Sequence, residues 1–349
     1  MKKSLLGLIC LLAIFLGTLT GAGAVQYTML DLGTLDGAPS YATTINDNGE
    51  IFGRLEGISS NELRVFHWDS LSGMREFELS SDFVFGVTNS NSSGQLVGAM
   101  RGEGYSDHAF LWDSSQGIQD MGITGSGGAN GVNSNGKVVG VADYQGFLWD
   151  SLNGVRWLTA FGGPASTASA INDSDQIVGT TYTSDKRMQA YMWQDGHVTD
   201  LGTLGGGSAA RDINNLGQIV GWAGTNSTIH AFLWDSVSGM QDLGTLGGVR
   251  SDAAAINNGG TIAGTAYTAS GERHAFVWDS LNGMQDLGSL WGISEAVAIN
   301  NSGMIVGYSE LADGSIHAVL WNPVPEPSSF LAIILGLGGI AVKRKMRHP

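Results

Sequence analysis

Cysteine is almost missing from these 349 residues: the one thiol, Cys10, sits inside an amino-terminal apolar run. With no second cysteine there is no intramolecular disulfide and no Cys-x-x-Cys pair, so a disulfide-stapled scaffold, dithiol redox chemistry and a zinc ribbon are excluded. Proline is scarce as well, 6 residues against 53 glycines. That balance excludes collagen and polyproline rods and reads as many tight turns. Charged residues make up only 14% of the chain, beside 42% hydrophobic residues, a composition that buries a core and does not stay disordered. Basic residues are the scarcer sign: 17 Lys and Arg face 32 Asp and Glu, a formal net charge of -15. Such a surface repels phosphate backbones, which argues against nucleic acid as a partner. Catalytic signatures are also missing. There is no GxSxG elbow and no HExxH pair, and Gly125-Ser126-Gly127-Gly128, which has the composition of a phosphate loop, is not followed by a helical pattern.

What the chain has in abundance is repetition. Trp68, Trp112, Trp149, Trp193, Trp234, Trp278 and Trp321 follow one another at intervals of 44, 37, 44, 41, 44 and 43 residues. A second marker keeps the same beat: Asn46, Asn91, Asn133, Asn172, Asn214, Asn257 and Asn300 each precede a turn and then a branched apolar pair and Gly, as in INNLGQIVG. A period in the low forties built from short apolar runs is the signature of a propeller or solenoid. Each unit carries four strand candidates, which in the unit starting at Ser208 are SAARDIN, QIVGWA, HAFLWD and MQDLGTL. The first is rich in Ala and Ser, suited to a crowded inner edge, and the second is branched and apolar as in a buried strand.

Asn-x-x-Gly joins the first two strands and Asp-Ser-x-x-Gly the last two, both tight hairpins in which Gly is free to turn left-handed. Asp175 replaces that Gly once, a residue that tolerates the conformation. The connections between second and third strands vary in length and sequence from unit to unit. In a meandering blade they emerge on the same side as the crossovers, so one face is uniform and the other individual, and binding residues belong on the individual face.

The mature chain opens on Tyr27 to Leu35, YTMLDLGTL, the second half of the HAFLWD…DLGTL unit, and its last unit ends on HAVLWN, the first half. The halves complete each other. A shared blade closes a ring and removes free sheet edges, whereas an open solenoid needs polar caps that are not seen. The expectation is therefore an all-β, seven-bladed β-propeller of four-stranded antiparallel blades, closed by pairing the N-terminal strand with the C-terminal blade, over residues 25–323.

The flanks read as addresses. Residues 1–24 carry Lys2 and Lys3, an apolar run from Leu5 to Leu19 and Ala22-Gly23-Ala24 as a cleavage site, the pattern of a signal peptide. Residues 324–349 carry Val324-Pro325-Glu326-Pro327, an apolar run from Phe330 to Val342, and Lys343, Arg344, Lys345 and Arg347. That run covers about 20 Å as a helix, short for a bilayer, with its basic end held on the cytoplasmic side. VPEPSS, a short apolar helix and a basic end resemble the PEP-CTERM sorting signal of exported Gram-negative proteins. The resemblance implies processing by an exosortase-type protease as partner and transient membrane attachment; an ordinary membrane anchor is the alternative. HAFLWD, DLGTLGG and INNxGQIVG together resemble the HAF repeat family of exported bacterial proteins across roughly residues 27 to 322. This resemblance implies a cell-surface or extracellular location and leaves the activity open.

Function is expected from residues that break the repeat. The seven repeated tryptophans serve blade packing, and His108, His230, His274 and His317, equivalent in four units, serve hydrogen bonding at the start of the third strand rather than one metal. Ligand contacts are expected instead at Tyr144, Tyr182, Lys186, Arg187, Trp222, Tyr267, Trp291 and Tyr308, with exopolysaccharide or a surface glycan as ligand. No cofactor is expected; calcium is the one alternative, at Asn46-Asp47-Asn48-Gly49-Glu50 or at Glu310 and Asp313. The chain is read as a noncatalytic binding or structural module. The alternative is a polysaccharide hydrolase or lyase using Glu103, Asp107, Glu272 and Glu310 on the individual face.

Overall fold

The computed structural model describes residues 25–57, 63–79, 84–101, 107–158, 165–183 and 187–324. Among them 28 strands form seven separate four-stranded antiparallel sheets, the blades of a propeller. Blades one to seven begin with the strands Ser40–Ile45, Val84–Ser90, Gly127–Val132, Ser166–Ile171, Ser208–Ile213, Gly247–Ile256 and Ser294–Ile299. Blade five is typical, with Ser208–Ile213, Ile219–Gly224, Ile229–Asp235 and Gly239–Asp242 in spatial order. Its fourth strand stops at Asp242, short of the DLGTL run expected to continue it, whereas the outermost strands Gly117–Thr124, Gly283–Gly288 and Gln26–Gly33 run on through the equivalent Gly. In all of these blades the Asp carboxylate accepts from the N–H of the Gly two residues on, as Asp242 does from Gly244 N (2.8 Å). Gly244 sits at φ 74° there.

Blade seven closes the ring. Its outermost strand is Gln26–Gly33 from the other end of the chain, paired antiparallel with Ile316–Val324 from Gln26↔Val324 to Gly33↔Ala318. Asn300 Nδ2 then donates to Asn46 O (3.0 Å), and Asn301 N to Asp47 Oδ1 (2.9 Å), tying blade seven to blade one. Gln26 and Val324, the terminal pair of this closing ladder, lie on the side of the Asn and Asp turns, the uniform face.

Hydrophobic packing is between blades. Seven apolar clusters each combine residues of two neighbouring blades. Each repeated tryptophan belongs to one of them: Trp234 packs with Val178 and Ala190 of blade four, and Trp321, fully buried, with Ala263 and Val277 of blade six. The aromatic of HAF is buried as well, at Phe66, Phe110, Phe147, Phe232 and Phe276, and each such ring contributes about 2–3 kcal/mol by leaving water. It fits because the Gly after the branched pair lacks a side chain. At Gly264 a Cβ would overlap Asp252 O and the Phe276 ring. In every blade this Gly lies opposite a β-bulge in the first strand, between Ala253 and Ala255 in blade six. The bulge adds a residue that faces the central channel.

The Asn of each repeat does more than start a turn. Asn214 Oδ1 accepts from Leu216 N (3.0 Å) and Gln218 N (2.9 Å), holding the type I turn, while Nδ2 donates to Asn257 O of the next blade (3.0 Å). Among the described residues this amide link recurs at six of the seven junctions. The Gly that ends the turn is left-handed, φ 75° at Gly217, and Asp175 takes its place at φ 61°.

On the opposite side HAF and DLG are locked together. A carboxylate only accepts, so Nδ1–H of His230 donates to Asp242 (2.9 Å), and His108–Asp120, His274–Asp286 and, across the closure, His317–Asp31 repeat the bond. Gln189 stands in for His opposite Asp200. The first-strand Ser of the following blade completes the knot: Ser251 Oγ accepts from Ala231 N (2.8 Å) and donates to Gly244 O (2.5 Å).

Among the described residues no helix is long and apolar enough to cross a membrane. The apolar runs 5–19 and 330–342, with Pro325, Glu326 and Pro327, fall outside those residues, and Val324 is the last paired residue of the final strand.

Two outcomes follow from this packing. Gly264→Ala should lower unfolding stability by about 2–3 kcal/mol, since backbone and a buried ring must move to admit one methyl, read as a reduced urea midpoint; an unchanged midpoint refutes the close-approach argument. Burial pushes the Asp212 carboxyl from 3.8 up to about 6, against hydrogen bonds from Ile256 N and Ile213 N. A folded value above the unfolded one makes its contribution most favourable below the unfolded value and lost as pH rises through the folded one. Between these two values the wild-type midpoint should therefore decline relative to that of Asp212→Asn; parallel profiles would rule this out.

Candidate functional site

The individual face carries the candidate site, and the bulges build its floor. The extra residue of each first strand is Thr43, Thr88, Asn130, Ser169, Arg211, Ala254 or Val297, and together they ring the channel. Thr88 Oγ1 donates to Ala129 O (2.6 Å), and Asn130 Nδ2 to Ala168 O (2.9 Å), each reaching the next blade. Arg211 is the one charged member of the ring.

Two recesses open beside this ring. The first, about 440 Å³, spans blades three to five and is walled by Tyr144, Tyr182, Trp222, Met188, Val141 and Arg211. Three of the aromatics expected to contact ligand therefore share one cavity, although they come from three blades. Tyr182 ends the second strand of blade four, Trp222 lies in the second strand of blade five, and Tyr144 occupies the two-residue turn of blade three. Tyr144 is 75% exposed and held by its backbone: Asp143 and Tyr144 have φ of 46° and 66°, a primed turn that normally takes Asn or Gly. Ser166 N donates to Tyr144 O (2.8 Å), and Asp143 Oδ1 accepts from Ser126 N (2.9 Å), so the strained turn is fixed from both sides. A bulky residue is uncommon in this conformation, which costs backbone strain.

The second recess, about 590 Å³, lies next to the first and shares Ser169 and Arg211 with it. Tyr267 lines it, and so do Arg250, Arg273, Asp252 and Glu295. Arg211 Nη2 bonds Asp252 Oδ2 (3.2 Å), and Arg273 Nη2 pairs with Glu295 Oε1 (2.6 Å). Burial pushes the Asp252 carboxyl upward, opposed by the Arg211 and Arg250 charges. Its Oδ1 is buried and has no hydrogen-bond partner among the described residues.

The remaining expected residues are scattered. Tyr308 packs edge-on against Tyr41 (5.0 Å between centroids) and bonds Glu295, so burial and that carboxylate raise its pKa; it braces the second recess without lining it. Trp291, 72% exposed, sits on the crossover into blade seven and lines neither recess. Arg187 opens the third-strand side of blade four, where its carbonyl accepts from Thr183 N (3.0 Å), and Lys186 lies outside the described residues.

Of the four acids considered for catalysis, Glu103 is outside the described residues. Asp107, Glu272 and Glu310 come from blades two, six and seven and line neither recess. The acids that do meet in a cavity, Asp252 and Glu295, were missed, together with Arg211, Arg250 and Arg273. A signal was there: charge interrupts the small-residue first strands in SAARDIN, SDAAAIN and SEAVAIN.

At the calcium candidates, Asn46 Oδ1 accepts from Asn48 N and Glu50 N, Asp47 from Asn301 and Ser92, and Asp313 from Ser315. Burial opposes but does not outweigh these donors at Asp47, whose pKa is lowered. Among the described residues no three His, Cys, Asp or Glu side chains gather as a metal would require.

No protein-family model and no curated protein matches the chain. Solved structures do. The chain is similar to the β-propeller domain of the Trilobed protease from Pyrococcus furiosus, at TM-score 0.57 and 14% identity, over 81% of this chain and 95% of that one. It is similar to the acylaminoacyl peptidase of Pyrococcus horikoshii at TM-score 0.56 and 12% identity, over 85% of this chain but only 54% of that one. A chain of the mitotic checkpoint complex aligns at TM-score 0.53 and 13% identity, over 91% and 99%. At such identities the likeness shows the propeller fold alone. The Trilobed domain is described as having an open velcro topology, whereas here Gln26–Gly33 closes the last blade.

Replacing Tyr144 with Gly creates Asp-Gly, the preferred primed turn, and removes a left-handed bulky residue. Tyr144→Gly should raise the urea midpoint, by about 1 kcal/mol of stability; a fall would mean that the ring itself holds the turn.

Proposed function

We propose that this β-propeller is an exported, noncatalytic module that binds a glycan on its individual face. The observation that carries the reading is the convergence of Tyr144, Tyr182 and Trp222 on one recess of about 440 Å³. Aromatic faces are electron-rich and pack against the C–H faces of sugar rings, and a cavity of this size takes one or two residues of a chain. Rigid blades hold the three rings while the connections between them vary, the usual division of labour between scaffold and recognition. The two acids of the neighbouring recess are each paired with an arginine, which favours holding a ligand over exchanging protons with it.

Export rests on the two flanks: a basic start, an apolar run and Ala22-Gly23-Ala24 before the propeller, and VPEPSS, an apolar run and a basic end after it. The resemblance to HAF repeats and to the PEP-CTERM signal supports a cell-surface or extracellular destination with an exosortase-type protease as processing partner. The exopolysaccharide of the producing cell is the ligand in closest reach.

Binding to that polysaccharide should fall about tenfold or more in Tyr182→Ala and in Trp222→Ala, with thermal melting unchanged, when measured by affinity electrophoresis. Equal retardation of wild type and both variants would remove the recess from the reading. Release of shorter oligosaccharides during incubation would replace it with a hydrolase or lyase. Mass spectrometry of the secreted chain should show loss of residues 1–24 and of Lys343 to Arg347; an intact tail would refute processing.

A further inference from the structure

The second recess is chemically unlike the rest of the molecule. The whole chain carries a formal charge of -15, yet the ionisable pairs lining this cavity leave a positive remainder: Arg211, Arg250 and Arg273 face Asp252 and Glu295. Two of the arginines are spent on the two acids, at 3.2 and 2.6 Å. Arg250 is left over. It is exposed, forms no ion pair among the described residues, and acts on Asp252 only through space. Beside it stands an acceptor without a donor, Asp252 Oδ1, buried and unbonded. A cavity offering one free guanidinium asks for a ligand that brings an anion.

We propose that the two recesses form one site for an acidic glycan, in which Arg250 takes the carboxylate of a hexuronate and the neighbouring sugar stacks in the Tyr144–Tyr182–Trp222 recess. The proposal rests on the glycan-binding reading above and names the class of sugar. Continuity between the cavities carries it: Arg211 and Ser169 line both, so a chain lying across the channel mouth passes from the aromatic walls to the charged one without leaving protein. A guanidinium matches a carboxylate with two parallel N–H donors, which a neutral sugar cannot use. Arg211, fixed by Asp252 and carried on the bulge of blade five, sets the position of that carboxylate and remains a positioning residue. The acidity of the remaining surface repels polyanions at long range and is screened within about 8 Å at physiological salt. Recognition is thus confined to the cavity rather than spread over the disk.

The test is isothermal titration of the purified protein with a hexamer of α-1,4-linked galacturonate and with the same hexamer fully methyl-esterified, which keeps the sugar and removes the charge. The acid form should bind about tenfold or more tighter than the ester, and Arg250→Gln should erase that difference while leaving the ester's affinity in place. Arg250→Lys should restore part of it. The Arg250 side chain is exposed and forms no hydrogen bond or ion pair among the described residues, so these variants keep the wild-type melting temperature. Equal binding of acid and ester overturns the charge assignment and leaves the glycan reading standing, as does binding of a neutral glycan with no binding of either hexamer. Preference for the acid that survives Arg250→Gln overturns the assignment of the site. Absence of binding to every glycan, the producer's polysaccharide included, overturns both.

Discussion

Each blade of this propeller has an apolar face that only its predecessor can cover. Trp234 is buried against blade four and Trp278 packs, partly buried, against blade five, and the dependence runs round the circle until blade seven, whose Trp321 is covered by blade six. Trp68 of blade one packs into a cluster that contains Val306, Ala318 and Leu320 of the last blade. The seven junctions are therefore one closed system, and opening any of them exposes a tryptophan face. Hydrogen bonds give the apolar faces their register. The Asn amides fix one rim and the Ser bonds the other, while the His–Asp pairs stiffen each blade from within, so sliding one blade on its neighbour breaks the Asn and Ser bonds at once.

The architecture was legible because the constraints repeat. A tryptophan and an asparagine at the same spacing mark a packing face and a turn that every blade needs, and the split unit at the two ends is what a closed ring requires. The histidines were readable as hydrogen-bonding groups for the same reason. The double duty of the asparagine was not readable, since its bond to the next blade joins residues about one repeat apart whose approach depends on the finished ring. The end of the fourth strand was read correctly for blades two, six and seven, which run through the Gly, and too long for blades four and five, which stop at Asp200 and Asp242.

The candidate site was half legible. Departures from the repeat pointed to Tyr144, Tyr182, Trp222 and Tyr267, which line the two recesses. The same rule also selected Trp291 and Tyr308, one an exposed crossover ring and one a half-buried brace. An aromatic that breaks the pattern is equally conspicuous whether it faces a cavity or a neighbouring blade. The charged residues escaped notice for a different reason. Arg211, Asp252 and Glu295 occupy strands whose small residues advertise crowding; the bulge turns Arg211 toward the channel, and the two acids line the recess beside it from regularly paired positions.

The pairing of Gln26 with Val324 leaves entry and exit of the folded body side by side on the face of the invariant turns. Anything attached through either end is therefore mounted beneath the disk. Were a leash fixed there, it would hold the propeller like a dish on a stalk, with the aromatic and charged recesses turned outward, away from the point of attachment. Cutting the leash would free the dish without touching what it receives.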